Sequence, residues 1–250
     1  MEESAYQQFA DLEEDHFWFR GRRAIFFSLL DRWIGRRDDL QVLEIGCGAG
    51  GMLRRLAGYG NASGLELSHE LAVLAHERSG RPTICATAYG VPLPADSQDL
   101  ICLFDTLEHI PDERQALEEV QRVLRPGGLA FFSVPAYQFL YAHNDRVSHH
   151  CRRYTKGRLR AMLGELGFDV VKLSYFNTLL FPLILPAVLL QKLRERLFGV
   201  RDTARTNLSI RFPGPLNSLL ALVMGSERHL LRHLSFPLGH SLLGIFRKPG

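Results

Sequence analysis

The stretch that most constrains this chain is residues 41–51, which read Q-V-L-E-I-G-C-G-A-G-G. Val42, Leu43 and Ile45 form an apolar run of strand type, and glycines at alternate positions then interrupt it. Helical spacing of apolar residues resumes over residues 52–57, so the sequence predicts a strand, a glycine turn and a helix. Such a turn lets a ligand approach bare backbone, with the first N–H groups of the helix facing it. The stretch therefore predicts a ligand site at the end of a strand.

The glycines alone leave the ligand open. Gly46, Gly48 and Gly51 satisfy the dinucleotide pattern G-x-G-x-x-G. The E-x-G-x-G-x-G spelling that begins at Glu44 instead resembles the first motif of class I methyltransferases, which use S-adenosylmethionine (SAM). A tight turn without a ligand is the third interpretation. The acidic residue Glu44 inside an otherwise apolar strand argues against it.

Composition and cysteine usage indicate a globular protein of a reducing compartment. The chain has 250 residues, of which 46% are apolar and 23% charged, as expected for one α/β domain with elaborations. Its four cysteines are scattered, which predicts neither a disulfide framework nor a zinc site. The start, M-E-E-S-A-Y-Q-Q, is polar and acidic and argues against a signal peptide. We therefore expect a cytoplasmic protein.

Charge is distributed unevenly along the chain. Residues 176–250 contain ten Lys and Arg against three Asp and Glu, or +7, which leaves 20 against 24, or −4, for the remainder. A basic, leucine-rich segment suits an anionic membrane surface or an anionic substrate, and a solvated face is the third interpretation. The acidic remainder argues against nucleic acid as a partner.

Three further motifs follow the glycine turn in order. They are G-L-E-L-S at 64–68, V-P-L-P-A-D-S-Q-D-L-I-C-L-F-D-T-L-E-H-I at 91–110, and L-R-P-G-G-L-A-F-F-S-V-P at 124–135. With the glycine turn, this ordered set resembles the small-molecule class I methyltransferases of quinone biosynthesis over residues 16 to about 175. The L-R-P-G-G turn separates this interpretation from a dinucleotide dehydrogenase.

The resemblance implies a Rossmann-like, doubly wound α/β fold with seven strands and an antiparallel last strand. We expect four parts: a helical extension or lid (1–36), a SAM-binding core (37–175), a basic hydrophobic helical insertion (176–237) and the last strand (238–250). The apolar run at 178–190 contains Pro182 and Pro186 and is too short to span a bilayer. The insertion therefore lies on a membrane surface, covers the substrate pocket or packs as ordinary helices.

The resemblance also implies the cofactor and its contacts. Backbone at Gly46–Gly48 would meet the methionine part of SAM, Glu66 would hold the ribose diol, and Leu67 would lie against adenine. The acid that the family usually carries near Thr87 or Ala88 is absent, so backbone alone would read adenine. The residues expected to contact SAM are Trp18, Arg22, Glu44, Gly46, Cys47, Gly48, Gly50, Glu66, Leu67, Thr87, Ala88, Asp105, Thr106 and Leu107. Packing of Trp18 under its helix is the alternative to a closing lid.

The acceptor side is expected in the polar stretch 135–154. His143, His149, His150 or Tyr154 would act as the base, since histidine titrates near neutrality. Asp145 and Arg153 would contact the substrate. A divalent metal that orients a hydroxylated substrate and a plain hydrogen-bonded loop are the other interpretations, and we expect no metal.

The predicted function is transfer of a methyl group from SAM to an O, N or C atom of a small-molecule or lipid-linked acceptor. The alternative is a SAM-binding protein without turnover that acts as a partner or membrane-peripheral adaptor. We expect a cytoplasmic protein, with peripheral attachment to the inner face of a membrane through residues 176–237 as the open question. The oligomeric state does not follow from the sequence.

Overall fold

The computed structural model describes residues 12–199 and 212–250. The first part of the expected N-terminal extension and the middle of the expected insertion lie outside these residues. The helices are α1 (Phe17–Trp33), α2 (Gly51–Leu56), α3 (His69–Ser79), α4 (Glu113–Val123), α5 (His143–Val147), α6 (Lys156–Glu165), α7 (Phe181–Phe198) and α8 (Gly214–Leu231). The strands are β1 (Leu40–Ile45), β2 (Gly60–Glu66), β3 (Thr83–Cys85), β4 (Gln98–Phe104), β5 (Leu124–Pro135), β6 (Asp169–Phe176) and β7 (Ser241–Arg247).

The strands form one sheet in the order β3-β2-β1-β4-β5-β7-β6. Strands β1 to β5 pair in parallel, with Val42 of β1 opposite Ala62 of β2 and Leu100 of β4. Continuous apolar runs occupy the central strands because a parallel sheet buries both of its faces. Leu100–Phe104 of β4 is accordingly buried along its whole length. The predicted doubly wound, seven-stranded sheet is confirmed.

The last strand is antiparallel, as predicted. Gly127 N donates to Lys248 O at 2.8 Å and Lys248 N donates to Gly128 O at 3.0 Å, so Lys248 bonds two adjacent residues of β5, as one residue does opposite a β-bulge. At the other end of β5, Ala136 N donates to the carbonyl of His240. Residue numbers thus fall along one strand as they rise along the other, so β7 runs against β5.

Helix ends follow local chemistry. The Oγ of Ser68 accepts from Leu71 N and caps α3. Helix α1 of the expected N-terminal extension begins at Phe17. The aromatic cluster at residues 16–19, which reads H-F-W-F, leads into this helix. Phe19, Arg22 and Phe26 recur at helical spacing and are buried on one side of it.

The chain divides into two compact units. The first unit comprises residues 12–32, 135–155, 174–199 and 212–242; the second comprises 33–134, 156–173 and 243–250. In the first unit α1 and α8 approach closely at Gly21, where an added Cβ would lie 2.7 Å from the Sδ of Met224. The division into four parts expected from the sequence stays a prediction.

Candidate functional site

The glycine turn of the second unit is built from left-handed backbone. Gly46, Gly48 and Gly50 have φ values of +72°, +52° and +83°, which only glycine adopts without strain. An added Cβ at Gly46 would lie 2.3 Å from Thr106 Cγ2, whereas one at Gly48 would meet nothing within 4 Å. The turn is therefore packed tightly at its first glycine and bare at its second, where a ligand can approach the main chain.

Glu66 ends β2 beside this bare backbone. Its Oε2 accepts from Gly48 N at 3.0 Å, and its Oε1 accepts from Leu67 N at 2.9 Å and Ser68 N at 3.1 Å. A carboxylate has about four acceptor positions, so these three bonds orient it and leave capacity for a hydroxyl donor. Leu67 is 73% exposed, which provides an apolar surface directly after the carboxylate. Glu66 and Leu67 together suit a ligand that carries a diol next to a flat apolar ring.

The carboxyl end of β4 carries strained backbone. Asp105 adopts φ +52°, and its N–H donates to the O and Oγ of Ser133, at 2.9 and 3.0 Å. The Ser133 hydroxyl in turn donates to Asp105 Oδ1 at 3.0 Å. A left-handed non-glycine residue costs of the order of 1 kcal/mol and is found preferentially at functional sites. Strands β1 and β4 are also where the strand order reverses, which is where doubly wound sheets bind ligands.

The other predicted cofactor residues of the second unit lie in β1 or shortly after the ends of β1, β3 and β4. Glu44 is buried within β1, opposite Gly64 and Cys102. Burial, followed by the charges of Glu44 and Glu66, raises the pKa of the Cys47 thiol far above its ordinary value, so Cys47 contributes backbone and not a thiolate. The remaining members are exposed Thr87 and half-buried Ala88 after β3, and Thr106 and buried Leu107 after β4.

Trp18 and Arg22 belong to aromatic packing in the first unit. The Trp18 ring stacks on Phe176 with centroids 6.2 Å apart and meets His240 edge-on at 6.1 Å. The Arg22 guanidinium lies 4.8 Å from the centroid of Phe19 and is buried. These contacts match the packing alternative, and the predicted contact of both residues with SAM stays a prediction.

The polar stretch 135–154 is organised around Asp145, which is fully buried. Its Oδ1 lies 2.8 Å from both Arg153 Nε and His150 Nδ1, and its Oδ2 accepts from Arg153 Nη2 and Ala142 N, each at 2.9 Å. Burial would raise the pKa of Asp145, but the bonds from His150 and Arg153 and the Arg153 charge outweigh it and hold the pKa well below its ordinary value. Asp145 and Arg153 therefore form a buried ion pair that contacts the His150 ring, and their predicted contact with substrate stays a prediction.

The other predicted base candidates differ in accessibility. Tyr154 is fully buried, and its backbone bonds Pro135 and Tyr137. His143 is buried in α5, whereas His149 is exposed and holds a left-handed φ of +56°. Of these four candidates, His150 is the one whose ring is hydrogen-bonded to the buried carboxylate of Asp145.

Three polar residues of the first unit were missed by the sequence reasoning. Asn177 is fully buried with φ +55°, and neither of its side-chain amide atoms has a hydrogen-bond partner among the described residues. Its carbonyl accepts from His240 N, and burial, followed by the Arg153 charge, lowers the pKa of His240 to about 3. Buried Glu227 accepts from Thr178 N at 2.7 Å and Leu179 N at 2.8 Å. No motif marks these residues, because each depends on partners distant in sequence.

Comparison with known proteins identifies the family. Residues 43–132 match the model of a methyltransferase domain. A Thiobacillus denitrificans ubiquinone biosynthesis O-methyltransferase is 32% identical over 167 residues, which cover 57% of this chain and 72% of that protein. A Mycolicibacterium smegmatis protein, named a probable S-adenosylmethionine-dependent methyltransferase, is 31% identical over 171 residues, 64% of this chain and 62% of that protein. This chain thus spans about three fifths of the length of the mycobacterial relative.

Solved structures agree on the fold. A SAM-dependent methyltransferase from Archaeoglobus fulgidus superimposes with a TM-score of 0.59 at 16% identity, covering 96% of this chain and 99% of that one. At this identity the likeness concerns architecture alone. The sheet order, the glycine turn with its bound carboxylate and the sequence relatives together show that the chain belongs to the class I SAM-dependent methyltransferases.

Proposed function

We propose that this protein transfers a methyl group from SAM to a hydroxyl oxygen of a small-molecule or lipid-linked acceptor. The observation that carries the proposal is the bare backbone at Gly48, whose N–H is bonded to the carboxylate of Glu66. This arrangement fits a nucleoside cofactor. When bound, SAM supplies a methyl group that its sulfonium activates toward a nucleophile.

The cofactor roles follow the sequence prediction. Glu66 accepts from the ribose hydroxyls, Leu67 covers adenine, and the backbone from Gly46 to Gly48 contacts the methionine part. Glu44 bonds toward the ammonium group of SAM directly or through water. Asp105, Thr106 and Leu107 form the wall beside its methionyl chain. Support comes from the burial of Glu66 against three N–H donors and from the exposure of Leu67.

The proposed base is His150. Its Nδ1 lies 2.8 Å from Oδ1 of buried Asp145, which holds the ring in one orientation. Nε2 is then the atom that would take the proton from the acceptor. Asp145 and Arg153 act through His150 and are positioning residues.

An oxygen acceptor is favoured over nitrogen or carbon by two observations. The relatives include proteins named ubiquinone biosynthesis O-methyltransferase and 27-O-demethylrifamycin SV methyltransferase. A hydroxyl is also the acceptor that most needs a base at neutral pH, which suits a carboxylate–histidine pair. The alternative of a SAM-binding protein without turnover is tested by the same experiments.

We also propose that the protein works in the cytoplasm with peripheral attachment to the inner face of a membrane through residues 176–237. In the described part of the chain no helix is long and apolar enough to cross a bilayer. The net charge of +7 over residues 176–250 supports contact with an anionic leaflet.

Calorimetry of SAM binding to wild type and Glu66→Ala tests the cofactor site. Removal of a charge-assisted acceptor is expected to weaken binding about 10- to 100-fold. Glu70→Ala is the matched control, because it removes an exposed acid from the same part of the chain and should leave affinity unchanged. Equal affinities for wild type and Glu66→Ala would remove Glu66 from the site.

Turnover is tested with methyl-labelled SAM and metabolite and lipid extracts. Label is expected in a product 14 Da heavier than its precursor, and His150→Ala should lower its rate by about 10²-fold with SAM affinity retained. The control, His149→Ala, removes the exposed neighbouring histidine and should retain activity. SAM binding without label transfer to any extract would favour the non-catalytic alternative.

A further inference from the structure

Helix α7 has two faces of opposite character. Phe181 and Val188 are buried and pack with Leu140 and Ala142 of the same unit. The other face carries Leu183, Pro186, Leu190, Leu193 and Leu197, hereafter the leucine stripe, whose spacing of three and four residues places them along one side of the helix. All five are exposed, and the four leucines keep 70%, 49%, 52% and 64% of their surface accessible.

Glu195, the acidic residue of α7, is hydrogen-bonded by two neighbouring side chains. Glu195 accepts from Arg146 Nη2 at 3.0 Å and from Gln191 Nε2 at 2.9 Å. Lys192 Nζ donates to Phe139 O at 2.6 Å. The exposed charges beside the leucine stripe are therefore those of Arg194 and Arg196, and both are positive.

Helix α8 of the same unit repeats this composition. Leu216, Leu219 and Leu222 are 41%, 55% and 66% exposed. Its acid, Glu227, is buried against the backbone of Thr178 and Leu179. On both helices the leucines are exposed, whereas the acidic residues Glu195 and Glu227 are hydrogen-bonded within the unit. The exposed surface of α7 therefore combines leucines with positive charges.

We propose that the leucine stripe lies on an anionic membrane surface. The leucines enter the boundary between headgroups and acyl chains, and Arg194 and Arg196 reach lipid phosphates, as basic side chains on interfacial helices do. Charge complementarity favours an anionic membrane as the partner, because an uncharged membrane would offer Arg194 and Arg196 no anionic headgroups. This inference rests on the proposed function for its purpose, which is access to a lipid-linked acceptor.

A second copy of the chain fits the stripe less well. Arg194 lies four residues after Leu190 and three before Leu197, so it sits among the leucines. A parallel pair of stripes would place the two copies of Arg194 against each other. The stripe also covers only about two heptads, fewer than the three or four of a stable coiled coil.

The test is flotation of the full chain with vesicles of phosphatidylcholine alone or mixed with phosphatidylserine, at low and high salt. Wild type is expected to float with the mixed vesicles at low salt and to be released by high salt. Leu190→Ser with Leu197→Ser should lower partitioning at least about 10-fold, and Arg194→Gln with Arg196→Gln about 10- to 30-fold at low salt.

Matched controls come from the second unit. Val73→Ser changes an apolar side chain that is 44% exposed, and Arg114→Gln with Arg160→Gln removes two exposed charges; neither should alter flotation. SAM affinity, measured on each preparation, separates this inference from the proposed function. Wild type that binds SAM but no vesicle would overturn the inference and the proposed membrane attachment, and would leave the proposed methyl transfer standing. Equal flotation of the leucine variant and wild type, or a dimer abolished by the leucine changes, would also overturn it.

Discussion

Glu66 in the second unit and Asp145 in the first are both buried carboxylates at candidate sites, yet they are held by different means. Glu66 accepts from the backbone N–H groups of Gly48, Leu67 and Ser68. Asp145 accepts from the charged side chain of Arg153, from His150 and from one backbone N–H. Backbone donors are present whatever the side chains are, whereas the Asp145 cluster exists only while each partner is present.

The difference bears on how each region responds to substitution. The glycine turn depends on backbone conformation, so its weak points are the glycines. The Asp145 cluster depends on a buried ion pair, and loss of one partner leaves an uncompensated charge in a low-dielectric interior. We therefore expect the largest loss of stability from a side-chain change in the first unit.

Arg153→Ala should have the largest effect. Asp145 is fully buried and Arg153 is 7% exposed, so the variant leaves a buried carboxylate without its arginine, bonded only to His150 and Ala142 N, and should lower the free energy of unfolding by about 3 to 5 kcal/mol. Urea denaturation measures this change. The control is Arg114→Ala, which removes an exposed partner of Glu118 and should cost no more than about 1 kcal/mol. Similar losses in both variants would contradict the contrast between the two regions.

Gly46→Ala should come next. The new Cβ would overlap Thr106 Cγ2 at 2.3 Å, and alanine would be strained at φ +72°. We expect a loss of at least about 2 kcal/mol in the free energy of unfolding, together with weaker SAM binding. Gly58→Ala is the control, since its Cβ meets nothing within 4 Å at an ordinary φ. A Gly46→Ala variant as stable as Gly58→Ala would show that the turn relaxes.

Glu227→Gln should have the smallest effect and sharpens the comparison, because Glu227 is a first-unit carboxylate held by backbone. Burial raises its pKa, although bonds from the N–H groups of Leu179, Thr178 and Asn177 oppose the shift. A raised pKa in the folded state means that its stabilising contribution is full below the unfolded value of about 4.3 and is lost as pH rises through the folded value.

Glutamine keeps an oxygen for Thr178 N and Leu179 N and removes the buried charge. Glu227→Gln should therefore stay within about 1 kcal/mol of wild type at neutral pH and lack this pH-dependent loss, whereas Glu227→Ala should cost about 1 to 3 kcal/mol. Urea denaturation from pH 4 to 8 compares the three proteins. A large loss in the glutamine variant would mean that the charge itself is required.

Much of the second unit was predictable because its signals are contiguous in the chain. The turn at 41–51 and the G-L-E-L-S motif at 64–68, with Glu66 at the end of β2, each lie within a few consecutive residues. The N-terminal aromatic cluster was harder. Aromatic residues are common in strands, but this segment is helical, and Phe19 and Arg22 are buried on one side of the helix.

Local patterns in the amino-acid sequence indicated the glycine turn, its flanking strand and helix, and the basic character of the C-terminal segment, since backbone conformation and apolar periodicity are local properties. The ordered set of motifs carried the resemblance to the family, and that resemblance implied the seven-stranded sheet. Tertiary structure alone decided which polar groups meet. It paired Asp145 with Arg153 and His150, buried Tyr154 and Asn177, and bonded Glu195 to Arg146 so that α7 exposes leucines beside arginines. Pairings and burial of this kind depend on contacts between residues far apart in the chain, and no local pattern encodes them.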